Sequence, residues 1–391
     1  MTTEIKNYFC SQKFSILSVD FERRNLRSCN VAVAQPIDLS WLSRNPGQLF
    51  NTPNLQIERQ QMLENQPAAS CEDMCWSPER QGLPSRRTMM QAQTPQPLSI
   101  QAQPTTLVIT LGSTCNLTCV YCCKEFSSAW YRDIQENGDY LPGDRFQITV
   151  KDKIVNKLSQ GEHIESYGYE LLMQEIAKFD SVQTVDFAGG EPFLYNHVPD
   201  IVNKLSKSTH IRLFTGLGVN PNRLKHQLGK INDWSNITIF VSAESLNNQY
   251  EFVRHGNSFD KFLTNLEILK THGCQVVFRS VVSNITIFDI FAFKKYFEDY
   301  EITYQFCAEP DFLAVNVLDQ QIKNELIENL NVSDISIKDQ IIQALEQPYT
   351  DQQKSQFRQY LQEFAARRKL SLNVFPNSMI QWLALEEHHV V

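Results

Sequence analysis

The sequence predicts an α/β fold: an open, partial (β/α)6 barrel flanked by a Cys-rich N-terminal module and a helical C-terminal extension. Three observations predict it. From Thr105 onward, short β-rich runs alternate with helical patterns, which means right-handed βαβ units and a parallel sheet. Cys10, Cys29, Cys71 and Cys75 all fall in a stretch with little regular pattern. Beyond residue 319 only helical periodicity remains. The expected domains are 1–90, a linker at 91–104, the barrel at 105–310 and the extension at 311–391.

Taken in order, Phe14–Asp20 alternates as a strand does, and Gln56–Asn65 reads as a helix with Ile57, Met62 and Leu63 as its apolar positions. Gln91–Gln103 (QAQTPQPLSIQAQ) has linker composition. Thr106–Thr110 is the first barrel strand; an aromatic-bearing insertion, Ser127–Leu141, follows. Strands are expected at Val182–Phe187, Ile211–Thr215, Ile237–Ser242, Gln275–Val282 and Ile302–Phe306. The helices between them are Ile148–Leu158, Ser166–Phe179, His197–Leu205, Arg223–Leu228, Phe259–His272 and Ile287–Tyr300. Six such units are too few to close the eight-stranded TIM barrel, so chemistry is expected at the carboxyl ends of an open TIM-type set. In Gln353–Arg368, Phe357, Tyr360, Leu361 and Phe364 form a core stripe, and Glu387-His388-His389 reads as a frayed terminus.

The 391 residues carry a formal net charge of −8, from 44 acidic and 36 basic side chains. No Lys/Arg block stands out, so nucleic acid is not an expected partner. The N-terminus lacks a basic-then-apolar signal pattern, and no apolar run reaches membrane-spanning length. The expected location is cytoplasmic, with no membrane partner. Ten cysteines in such a chain argue for metal or redox chemistry before disulfides.

The densest cysteine stretch is Thr114-Cys115-Asn116-Leu117-Thr118-Cys119-Val120-Tyr121-Cys122. Thiolates are soft ligands that suit iron–sulfur clusters. Three of them on a four-iron cluster leave one iron open to bind a substrate or cofactor. Cys123 is read as a packed or outer thiol, because adjacent cysteines rarely reach two corners of one cube. Val182–Phe187 runs into Gly189-Gly190-Glu191-Pro192, where two glycines let the backbone approach a ligand closely.

The two motifs together resemble the radical S-adenosylmethionine superfamily. The resemblance implies a [4Fe-4S] cluster on Cys115, Cys119 and Cys122, with S-adenosylmethionine chelating the open iron. Gly189, Gly190, Glu191 and Pro192 would hold its amino group. Tyr121 would pack near the adenine. Val241-Ser242-Ala243-Glu244-Ser245 resembles a Ser-Leu-Asp-Ser turn of that superfamily, so Ser242 would bond the ribose or methionine carboxylate and Glu244 a ribose hydroxyl. Tyr250–Gly256 also resembles the family, and Arg254 would clamp the methionine carboxylate bidentately. Phe214-Thr215-Gly216 looks like its Thr-Asn-Gly turn, with glycine in place of asparagine.

Residues 1–90 resemble the twitch or SPASM auxiliary-cluster module, through Phe9-Cys10, Cys29, Arg59, Met62-Leu63, Cys71, Cys75 and the string Glu79, Gly82, Ser85, Arg86. That module usually follows the barrel, and here it precedes it. It implies an auxiliary [4Fe-4S] cluster on Cys10, Cys29, Cys71 and Cys75; a structural zinc on the same thiols is the alternative.

The chain as a whole is similar to radical maturases of proteusin-type precursor peptides, and among them to peptide epimerases. The implied partners are a ribosomally made precursor peptide, leader and core, and an electron donor such as flavodoxin or ferredoxin. Epimerisation requires hydrogen to return to a nearly planar Cα radical from the opposite face, and a thiol is the natural donor. Cys307 follows the Ile302–Phe306 strand at its carboxyl end, whereas Cys274 precedes a strand and Cys123 adjoins the cluster. Cys307 is therefore the expected donor. Thioether or carbon–carbon crosslinking, backbone excision and a non-catalytic, metal-binding peptide carrier remain alternatives.

Overall fold

The computed structural model describes residues 5, 7–80, 85–89, 98–141 and 166–384. The expected helix at 148–158, linker residues 91–97, Gly82 and the tail 387–389 lie outside them. The longer elements run β1 (Ile16–Asp20), β2 (Asn25–Arg27), β3 (Gln35–Pro36), α1 (Pro53–Leu63), β4 (Thr106–Thr110), α2 (Ser128–Asn137), α3 (Ser166–Ile176), β5 (Thr184–Ala188), α4 (His197–Lys204) and β6 (His210–Thr215). Then come α5 (Pro221–Leu228), β7 (Ile237–Ser242), α6 (Asn247–Val253), α7 (Phe259–Thr271), β8 (Gln275–Val282), α8 (Ile290–Tyr296) and β9 (Glu301–Phe306). The C-terminal helices are α9 (Gln320–Asn331), α10 (Lys338–Leu345), α11 (Asp351–Arg368) and α12 (Asn377–Ala384).

The chain forms two compact units. The first takes the described parts of residues 1–112, 154–213 and 231–237. Its strand order is β3-β2-β1-β4-β5-β6. β4, β5 and β6 are parallel, as expected from the alternation, and their central residues Leu107, Ile109, Val185 and Phe187 are buried. β1 also runs parallel to β4, from Ile16 opposite Thr106 to Asp20 opposite Thr110, a pairing that local pattern did not reveal.

Helix α1 corrects the expected apolar face. Pro53 at its first turn has no N–H to leave unpaired. The buried positions are Leu55, Glu58, Arg59 and Met62, spaced as one helical face, while Ile57 and Leu63 are exposed. Two charges sit on the buried face because each has buried partners. Arg59 donates to the carbonyls of Ile100 (2.8 Å) and Phe50 (2.9 Å) and to Asn51 Oδ1 (2.8 Å).

The second unit takes the described parts of 113–153, 214–230 and 238–391. β7, β8 and β9 are parallel, with Ser242 opposite Arg279 and Arg279 opposite Thr303. One face of β8 sends Phe278 against Phe262, Phe293 and Phe297 of the flanking helical layer. In neither unit does the sheet close on itself. The Ser127–Leu141 insertion contains α2, capped by Ser127, with Trp130, Tyr131 and Ile134 buried. The expected Ile287–Tyr300 helix divides into a 3-10 turn (Ile287–Asp289) and α8. Helix α11 opens with a capping box of Thr350 and Gln353 and buries Phe357, Tyr360, Leu361 and Phe364, the expected stripe. No helix among the described residues is long and apolar enough to cross a membrane.

Candidate functional site

In the second unit, the cysteine loop is held at almost every residue. Thr118 N donates to His255 O and Val120 N to Val253 O, both at 2.9 Å. Cys122 N turns back on Cys119 O (2.9 Å), and Trp130 Nε1 donates to the same carbonyl (2.9 Å). Ser128 Oγ accepts from Cys115 N at 3.2 Å, and Tyr360 Oη of α11 donates to Val120 O at 2.5 Å. Leu117 lies against Gly216 and Gly218, where an added Cβ would stand 2.9 and 2.7 Å from its side chain. That contact gives a reason for glycine at 216 where the expected turn has asparagine. Gly256, at φ +100, likewise leaves room for Asn116 O.

Behind the loop is a buried charged network. Arg254 Nε and Nη2 donate to Glu244 Oε1 (3.0 Å) and Oε2 (2.8 Å), and Nη1 donates to Cys119 Sγ (3.6 Å). Tyr121 Oη donates to Glu244 Oε1, and the Arg254 guanidinium lies 5.0 Å from the centre of the Tyr121 ring. Burial pushes the Cys119 thiol pKa up, against the pull of Arg254. Burial works against the Arg254 charge as well, but Glu244, Tyr121 and Cys119 together more than offset it. Burial also holds the Tyr121 phenol well above its usual value, so Tyr121 remains a donor. Cys115 and Cys122 are half-buried and Cys123 is buried.

Ser242 ends β7, half-buried, on the face it shares with Phe240 and Arg279. Cys307 lies just past β9, as expected. Its N–H donates to Val282 O (2.9 Å) and its thiol to Glu309 O (3.6 Å). It is 7% exposed, in the core that also contains Val120 and has Tyr121 and Cys122 at its margin. Cys274 precedes β8, and burial pushes its thiol up to about 12.

In the first unit, β5 runs into Gly189 (φ +79) and Gly190 (φ +55). A Cβ on Gly189 would lie 2.6 Å from Thr110 Cγ2. Glu191 is 1% exposed; it accepts from Phe193 N (3.3 Å) and caps the Pro192–Leu194 turn.

Cys10, Cys29 and the Cys71/Cys75 pair, from three separate stretches, line one small cavity, together with Lys13 and Arg87. Burial, with the other thiols, pushes Cys10 up to about 11, and burial likewise raises Cys71 and Cys75. Lys13 is itself buried, pairing with Glu58 (2.6 Å) and donating to Ser70 Oγ (2.8 Å). Burial opposes its charge; Cys71 and Glu58 outweigh that and hold it protonated. Sequence reasoning missed Lys13 and Glu58, because neither has a local pattern. The Arg86 side chain lies outside the described residues. Ser85 donates to Glu79 (2.5 Å), and Arg87 pairs with Glu79 and lies over Trp76.

The donor sets are all thiols, soft ligands that suit an iron–sulfur cluster, and four of them suit a structural zinc as well. Among the described residues no three His, Cys, Asp or Glu side chains gather tightly enough to hold a single metal ion.

Residues 109–291 match the family model described as the Radical SAM superfamily. The matched span contains Cys115, Cys119, Cys122, Gly189–Pro192, Ser242, Glu244 and Arg254, and excludes the four N-terminal thiols and Cys307. No curated protein matches the chain. Among solved structures, the chain is similar to native anSMEcpe with bound AdoMet, at 16% identity and TM-score 0.37, over 58% of this chain and 59% of that one. It is also similar to Streptococcus suis SuiB bound to precursor peptide SuiA, at 15% identity and TM-score 0.32, over 69% and 48%. This chain spans less than two thirds of either protein.

Proposed function

We propose, from the match of residues 109–291 to the Radical SAM superfamily model, that this chain is a radical S-adenosylmethionine enzyme that matures a ribosomally made peptide by turning L-residues into D-residues. The observation that carries the radical chemistry is the braced loop that offers Cys115, Cys119 and Cys122 to a cluster with one open iron. When bound and reduced, such a cluster supplies the electron that cleaves S-adenosylmethionine to the radical that abstracts hydrogen from Cα.

The chain's own residues do the rest. Gly189–Pro192 would offer backbone carbonyls and a carboxylate to the methionine ammonium, at a turn only glycine can make so tightly. Ser242 would receive the ribose or methionine carboxylate. Arg254 has five N–H groups and uses three on Glu244 and Cys119. The remainder would serve the methionine carboxylate, while Tyr121 and Glu244 would border the adenosyl group. Cys10, Cys29, Cys71 and Cys75 would hold a second [4Fe-4S] cluster, and an electron would come from a flavodoxin or ferredoxin. These partners imply a cytoplasmic enzyme. Cys307 would return hydrogen to the planar Cα radical through its weak S–H bond.

One observation favours a second reading. The Cys307 thiol is buried and turned onto Glu309 O, so it must rotate outward to reach a substrate. If it does not, a substrate radical would be consumed in a crosslink instead. Incubation of the peptide with enzyme in deuterated water separates the two. Epimerisation adds one deuterium per inverted centre; crosslinking removes two hydrogens; a carrier protein leaves the peptide unchanged. Cys307→Ala should still form 5′-deoxyadenosine and take label from Cα, with D-residue yield collapsing. D-residues formed at the wild-type yield by that variant would refute Cys307 as the donor.

A further inference from the structure

The chain carries a buried arginine whose third contact is a cluster-loop sulfur. We propose that Arg254, locked in place by Glu244 and Tyr121, donates a hydrogen bond to the Cys119 thiolate and raises the reduction potential of the cluster on that loop. The proposal rests on the assignment of Cys115, Cys119 and Cys122 as cluster ligands.

The geometry has three parts. The guanidinium is a rigid planar fork, and its Nε and Nη2 both bond Glu244, at 3.0 and 2.8 Å. Two bonds to one carboxylate fix the plane, which leaves Nη1 no freedom to swing away from Cys119 Sγ, 3.6 Å off. The carboxylate is itself tied down by the Tyr121 hydroxyl, and the ring of Tyr121 covers the guanidinium. Glu244 is 1% exposed, Arg254 6% and Cys119 7%, so water does not screen the arrangement.

The electrostatic sign follows. Arg254 and Glu244 together are neutral, but the pair is a dipole. Its positive end touches the thiolate, and its negative end is held by two arginine nitrogens and a phenol. Reduction adds one negative charge to a cluster. Positive charge and N–H donors at its sulfurs therefore favour the reduced form, and such hydrogen bonds are one of the controls on cluster potential. The electron comes from a low-potential one-electron donor of the flavodoxin or ferredoxin class. Arg254 neither gains nor loses a proton, and no bond to it forms or breaks. Burying an ion pair is weak evidence for stability by itself; here the pair supplies a fixed donor to sulfur.

The test is a potentiometric titration of the anaerobically reconstituted full-length protein. The reduced cluster is read by electron paramagnetic resonance, and the signal that changes on adding S-adenosylmethionine identifies the loop's cluster. Arg254→Gln should lower that potential by at least a tenfold change in the reduction equilibrium, which is 59 mV for one electron. Glu244→Gln leaves Arg254 uncompensated and should raise it. A merely structural role would instead move both variants the same way or lose iron from both. Opposite shifts support the proposal. Shifts of one sign, or unchanged potentials with iron retained, overturn it. If Arg254→Gln cannot hold iron, Glu244→Gln decides alone: an upward shift supports, no shift overturns. Absence of an S-adenosylmethionine-responsive signal in the wild type would instead defeat the assignment of the loop.

Discussion

Gly189→Ala isolates what the Gly-Gly-Glu-Pro turn demands of its backbone. Two costs add. Gly189 has φ +79, in the left-handed region, where an L side chain costs about 1–2 kcal/mol. The new Cβ would also stand 2.6 Å from Thr110 Cγ2, and overpacking of that kind costs about 1–3 kcal/mol. The expected destabilisation is about 2–5 kcal/mol. Gly47 provides a control in the same unit. It has φ +82, but the nearest atom to its Cβ is Lys178 Cδ at 3.8 Å, an ordinary contact. Gly47→Ala should therefore cost only the backbone part, about 1–2 kcal/mol. Thr110→Ser removes the offending methyl and leaves Oγ1 at 3.4 Å. The double variant Gly189→Ala/Thr110→Ser should recover the steric part, a coupling of about 1–3 kcal/mol in a double-mutant cycle. The assay is denaturant unfolding of the metal-free chain, with the midpoint read at unchanged slope, alongside S-adenosylmethionine affinity of the reconstituted protein. Equal costs for Gly189→Ala and Gly47→Ala, or zero coupling to Thr110, would refute the close-approach argument.

Two further predictions concern iron and pH. Wild type should reconstitute to about eight irons per chain, the count for two four-iron clusters; replacing Cys10, Cys29, Cys71 and Cys75 by Ser should halve it, whereas zinc bound by the wild type and lost with those thiols, at unchanged iron, would favour the structural-zinc alternative. Replacing Cys115, Cys119 and Cys122 by Ala should remove the other half and abolish 5′-deoxyadenosine. Burial, then Arg368, holds the His255 pKa below its ordinary value of about 6.5, so below that pH the unfolded chain binds the extra proton first. The contribution of neutral His255 is complete above about 6.5 and is lost as pH falls toward the lowered folded value; an acid limb unchanged in His255→Gln would assign that loss to other groups.

The burial of α1 illustrates why local pattern misleads. A helical stripe can be read from sequence when apolar residues mark it, and in α11 they do: Phe357, Tyr360, Leu361 and Phe364 are all buried. In α1 the buried face includes Glu58 and Arg59, which periodicity places at the surface. Burying them requires partners at Lys13, Phe50, Asn51 and Ile100, from other parts of the chain. The parallel pairing of β1 with β4 is hidden for the same reason, since a nonlocal pairing leaves no short-range mark in sequence.

By itself the sequence determined what spacing and composition encode: the three-thiol loop, the Gly-Gly-Glu-Pro turn, and the strand–helix alternation of an open α/β fold. These are short-range facts, set by which residues neighbour one another along the chain. The tertiary structure alone decided where Arg254 spends its hydrogen bonds. It stands 135 positions from Cys119, and only the fold sets its guanidinium between that sulfur and the Glu244 carboxylate. It also decided that Lys13 and Glu58 pair beside the N-terminal thiols. A buried charge is stable only where the fold delivers its counter-charge, and that depends on which distant residues meet.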